Sequence, residues 1–110
     1  METLSSFWKK LTLGTYVKVS YIDHARSKGG VSAGKIVKVQ TNAVARDGSN
    51  YDNTKQFTKE SPCYFRKPKA SEVEISENKL TEFNERCATT VIYEIIQPEE
   101  YVKMSMEDKK

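Results

Sequence analysis

A chain of 110 residues can bury one hydrophobic core and is short for two ordinary domains, so residues 1–97 read as one domain and residues 98–110 as a short helix and tail. With 30% charged residues and a mean hydropathy of -0.67, no apolar run near the ~20 residues of a membrane helix, and no apolar centre in residues 1–10, the chain is expected to be soluble and intracellular, cytoplasmic or nuclear, not secreted. The net charge of +3 hides an asymmetry: residues 1–70 carry 13 Lys+Arg against 5 Asp+Glu, whereas residues 71–110 carry 5 against 10.

A basic body with an acidic end suggests a surface for a polyanion, or an acidic segment that folds back over that surface. Plain intramolecular charge complementarity explains the pattern as well. Cys63 and Cys87 lack partners at metal spacing and the single histidine, His24, is remote from both in sequence, so neither a metal nor a cofactor is expected. Both thiols are expected to be reduced.

In chain order, Leu4, Phe7, Trp8 and Leu11 fall on one helical face, and Thr3 can cap the helix they define. That face either closes one end of the domain or docks on a partner through Phe7 and Trp8. Two β-branched runs follow, over residues 15–22 and 35–41, separated by a connection containing Arg26, Lys28, Gly29, Gly30 and Gly34. Val17 and Val19 are expected to point inward, and Lys18 and Lys38 outward. A third strand is expected over 43–46, stopped by Asp47 and Gly48, and a fourth over 63–67 before Pro68. Residues 51–60, with Tyr51, Asn53, Lys55 and Phe57 at period two, are either an edge strand or an extended loop. Residues 14–67 would thus make a basic barrel portion. Ser76, followed by Leu80, Phe83 and Cys87 at helical spacing, predicts a helix over 77–86. Residues 89–96 form the most apolar run and predict a central strand, and Pro98 suits the first turn of a last helix.

Residues 29–36 nearly spell a phosphate-binding P-loop, but Ile36 stands where a magnesium-binding hydroxyl is required and the following run favours strand over helix. Gly14, Lys28, Gly29 and Gly34, set between Thr15-Tyr16-Val17-Lys18-Val19 and Lys35-Ile36-Val37-Lys38-Val39, resemble the KOW-type motif of SH3-like barrels in ribosomal and transcription elongation proteins; Tudor-like barrels share the pattern. The resemblance spans about residues 14–40. It implies a partly open SH3-like small barrel, here mainly β (a β-rich α+β chain), with a short N-terminal helix and a helix before the last strand.

No paired carboxylates, triad or metal ligands point to an enzyme. The expected function is a non-enzymatic module that binds nucleic acid, RNA or DNA, through its phosphates, using Arg26, Lys28, Lys35, Lys38, Arg46, Arg66 and Lys67, with Gly29, Gly30 and Gly34 shaping the loop. Lys69 would extend that patch, and Tyr16, Tyr21, Tyr51 and Tyr64 offer stacking faces where exposed. This reading requires Arg26, Lys28, Lys35, Arg46 and Arg66 to share a face. The alternative is a protein-binding or assembly subunit of a larger complex, a virion or ribonucleoprotein particle, that docks through the Phe7/Trp8 helix or the acidic C-terminal part. Glu72, Glu74, Glu77, Glu82 and Glu85 are otherwise a solvated helical face.

Overall fold

Thr3 caps the first helix through its side chain: its Oγ1 accepts from the Ser6 backbone N–H at 3.1 Å, while the Ser6 hydroxyl accepts from the Thr3 N–H at 2.9 Å. The computed structural model describes residues 2–50 and 54–107, and this helix, α1, covers Leu4–Lys9. Among the described residues nine strands follow: β1 Tyr16–Asp23, β2 Lys28–Val39, β3 Ala43–Arg46, β4 Gly48–Ser49, β5 Gln56–Phe57, β6 Cys63–Arg66, β7 Val73–Ser76, β8 Lys79–Asn84 and β9 Thr89–Ile96. Helix α2, Pro98–Glu107, ends the described chain. The sequence reading of 51–53 lies outside the described residues.

Seven strands form one antiparallel sheet in the order β6-β3-β2-β1-β9-β8-β7, and β4 and β5 pair separately. The protein is therefore mainly β, and its sheet is strongly curled into a half-barrel. The curl is visible in a single contact: Phe65 of β6 stacks on Tyr93 of β9 with ring centroids 4.5 Å apart, although β3, β2 and β1 lie between them in the sheet. Trp8 meets Phe65 edge-on at 5.7 Å.

Register sorts the side chains. Val17 faces Gly34 and Val19 faces Ser32 across β1 and β2, and Val17, Ile36, Val44 and Leu80 point into the concave side together with Phe7 of α1 and Leu11 just after it. The expected inward Val17 and Val19 are buried. Phe7 is 0% exposed, so α1 fills the half-barrel rather than offering Phe7 to a partner. Helix α2 packs outside, on β1 and β2, with Tyr101 against Tyr16 at 4.5 Å.

The helix expected over 77–86 is replaced by two hairpins. Asn78 takes a left-handed φ of 57° and turns β7 into β8, and Ala88, at φ 53°, completes the turn into β9. The helical spacing of Leu80, Phe83 and Cys87 coincides with a strand alternation in which Leu80 points in and Phe83 points out, 48% exposed. An isolated ten-residue helix is marginal in water, whereas Leu80 on a strand completes the core, so packing decides against local spacing. The expected strand over 89–96 is β9, interior to the sheet between β1 and β8, and Pro98 begins α2 as its position suggests.

Candidate nucleic-acid interface

The connection between the two β-branched runs is much shorter than the sequence suggests. Strand β2 begins at Lys28, so Gly29, Gly30 and Gly34 lie inside a strand and do not shape a loop. The turn proper is held by Asp23, whose Oδ1 accepts from the Ala25 and Arg26 backbone N–H groups at 3.1 and 3.2 Å, and by Ser27 at a left-handed φ of 51°. Gly34 has a different task. A Cβ there would sit 1.9 Å from the Asp47 carbonyl oxygen, and one on Gly48 would sit 2.2 Å from the Ala33 carbonyl oxygen. The two glycines let the chain after β3 cross β2 backbone against backbone. Asp47 locks the crossing: its Oδ1 accepts from the Lys35 N–H at 2.7 Å and its own N–H donates to the Lys35 carbonyl at 3.0 Å.

Arg46, expected on the binding surface, is 5% exposed. Its guanidinium donates to the carbonyls of Asp47 and Ser49 at 2.9 and 3.0 Å and to the Ser32 hydroxyl at 3.1 Å, and it lies over the Phe57 ring at 5.7 Å. Burial lowers its pKa from the ordinary arginine value, while Cys63, Tyr93 and Asp47 act in the opposite sense. An arginine spent on internal acceptors ties β2, β3 and the β4 crossing together and has nothing left for a phosphate. Burial also pushes the Tyr93 phenol well above its usual value, with Glu82 and Cys63 adding to the shift, so Tyr93 acts as a neutral core ring.

The remaining cations divide. Arg26 and Lys28 project at the β1–β2 turn, where Arg26 Nη1 lies 3.8 Å from the Asp23 carboxylate. Lys38 stands at the far end of β2, about 30 Å away at the rise of an extended strand. Lys35 is exposed opposite Tyr16, on the side covered by α2. Lys18, outward as expected, pairs with Glu94 at 3.3 Å. Arg26, Lys28, Lys35, Arg46 and Arg66, which the sequence reading needs on one face, therefore do not share one, and a nucleic-acid surface built from those five is abandoned.

What does converge is smaller. Lys38 pairs across β3 with Ala45, and Ala45 pairs with Tyr64 of β6. Over that small residue the Lys38 ammonium reaches the Tyr64 ring at 5.7 Å, and Tyr64 is 48% exposed. Arg66, two residues along β6, shares the outward face, and Lys67 and Lys69 follow. Among the described residues no carboxylate pairs with Lys38, Arg66, Lys67 or Lys69. The sequence holds a signal for this strip in Cys63-Tyr64-Phe65-Arg66-Lys67, where strand alternation sends Tyr64 and Arg66 to the same side. It has no signal that Ala45 would seat Lys38 beside them. The two thiols, Cys63 and Cys87, are free, and among the described residues no three His, Cys, Asp or Glu side chains gather as metal ligands.

Fold and surface together define a small β-rich half-barrel with one basic, aromatic strip on its convex side. No protein-family model matches the chain, and no curated protein or solved structure is found to be similar to it. No helix among the described residues is long and apolar enough to cross a membrane.

Proposed function

We propose that this chain is a non-enzymatic binding module that takes single-stranded nucleic acid on the strip formed by Lys38, Tyr64, Arg66, Lys67 and Lys69. The observation that carries the reading is the Lys38 ammonium seated on a half-exposed Tyr64 ring, with Arg66 on the same strand and Lys67 and Lys69 just beyond it, none of them ion-paired among the described residues. An aromatic face stacks on a base and the flanking cations neutralise phosphates, a pairing that tolerates any sequence. The resemblance of residues 14–40 to KOW-type and SH3-like modules agrees with this class, and the SH3-like assignment of the half-barrel belongs to the proposal. Arg46 has no part in it, and Arg26 and Lys28 stand too far away to join the same contact.

The test is fluorescence anisotropy with a short labelled oligouridylate across a salt series. Affinity should fall steeply from low to moderate salt, and each of Lys38→Ala, Arg66→Ala and Lys67→Ala should reduce the slope of log K against log salt by about 0.7. Tyr64→Ala should cost ~1–3 kcal/mol of binding with the slope unchanged. The double change Arg26→Ala, Lys28→Ala should leave both numbers alone. Salt-independent binding, or loss only in the Arg26/Lys28 variant, would sink the reading.

A further inference from the structure

The half-barrel leaves two edges, β6 and β7, and they differ in chemistry. Backbone bonding fixes which groups each edge presents. The Ile95 N–H donates to the Asn78 carbonyl at 2.9 Å, so the alternation of an antiparallel ladder turns Leu80 and Glu82 toward β9, and Lys79 and Thr81 toward β7. Lys79 and Thr81 face Ser76 and Glu74. The N–H and C=O groups of Val73 and Ile75 therefore point away from β8, out of the sheet. No other backbone group among the described residues pairs with them.

Sheet edges are normally blunted by lysine or proline. Strand β6 carries Arg66 and runs into Lys67 and Pro68, whereas β7, Val-Glu-Ile-Ser, has neither lysine nor proline. Clefts open at both ends of β7. One, of about 600 Å³, is lined by Glu72, Glu82, Glu85 and Val91, with Arg86 as its cation. The other, of about 430 Å³, is lined by Ile75, Ser76, Glu77 and the ion-paired Glu2 and Lys10, so Glu77 is its free carboxylate. Glu74 stands exposed between them. Among the described residues Glu72, Glu74, Glu77 and Glu82 have no cationic partner in an ion pair.

We infer that the β7 edge binds an extended basic segment of another protein, which adds as a strand to Val73 and Ile75 and sets Lys or Arg side chains into the cleft of Glu72, Glu82 and Glu85 and beside Glu77 in the other. Main-chain hydrogen bonds supply the docking and the clefts choose the charge. Partial burial and the neighbouring Glu72 both raise the Glu82 carboxyl above its ordinary range. A cation in the cleft relieves that repulsion. This surface lies on the sheet edge opposite the proposed nucleic-acid strip, so either proposal can fail without the other.

The experiment uses the isotope-labelled full chain and a capped peptide of alternating Lys and Val, followed by amide chemical shifts and hydrogen exchange. The Val73 and Ile75 amides should shift and gain protection on titration. N-methylation of alternate peptide nitrogens, which keeps every charge, should weaken binding by on the order of tenfold through two lost main-chain hydrogen bonds. The double change Glu72→Gln, Glu82→Gln should also weaken it while the spectrum stays folded. Equal binding of the N-methylated peptide, protection at Tyr64 and Arg66 instead, or no binding would overturn the inference. So would protection at Val73 that grows with protein concentration alone, because a second copy would then be the occupant.

Discussion

The β1–β2–β3–β6 half of the sheet and the β7–β8–β9 half are built by different logic. In the first, backbone crosses backbone: Gly34 and Gly48 touch the opposing chain, and Arg46 is consumed in holding the crossing. In the second, strands join by tight turns at Asn78 and Ala88, and the core contribution comes from Leu80. The lesson is that charge is a poor guide to surface where the chain must fold over itself. The basic half hides one of its arginines, whereas the acidic half leaves Glu72, Glu74, Glu77 and Glu85 exposed.

The largest expected effect tests the crossing. Gly34→Ala places a methyl group on the Asp47 carbonyl and should cost about 3 kcal/mol or more in urea unfolding, since neither strand can withdraw without breaking its ladder. If Gly34 merely shaped a loop, the same change would be mild. Next, Phe7→Ala removes the side chain that joins the halves and should cost ~3–5 kcal/mol, whereas Leu13→Ala, at an exposed position, should stay within ~0.5 kcal/mol. A smaller effect checks the acidic half. Asn78→Ala, at a left-handed turn position, should cost about 1 kcal/mol, whereas in a helix over 77–86 the same change would stabilise by about 0.5 kcal/mol.

The smallest effect is pH-dependent. Because the folded Glu82 carboxyl titrates above its ordinary value, through burial first and Glu72 second, the folded state holds its proton where the unfolded chain has released it. Stability should therefore decline as pH rises from the ordinary glutamate value through the raised one. Glu82→Gln should flatten that decline, as read from thermal midpoints across mildly acidic pH.

Much of the fold was legible where alternation and breakers agree. Val17 and Val19, the strand at 43–46, the strand beginning at Cys63, the apolar run that became β9 and the Thr3 cap all follow from local chemistry. The 77–86 segment was illegible because Leu80, Phe83 and Cys87 lie at helical spacing, whereas the core takes only Leu80 from strand β8, leaving Phe83 on its outer face and Cys87 in the turn that follows. The candidate site was half legible. Tyr64 and Arg66 share an edge strand, with Lys67 just beyond it, in plain view of the sequence, but Lys38 joins them only because the paired register puts Ala45 between. Arg46 could not be distinguished from a surface cation, since its partners Asp47, Ser49 and Ser32 are backbone carbonyls and a hydroxyl, not a carboxylate.

On the proposed function, nucleic acid contacts the β6 strip and not the β1–β2 turn. Amide chemical-shift mapping with a short oligouridylate reads this directly. The largest shifts should fall at Lys38, Ala45, Tyr64 and Arg66 with Arg26 and Lys28 unmoved; shifts centred on Arg26 and Lys28, or none anywhere, would contradict the proposed function.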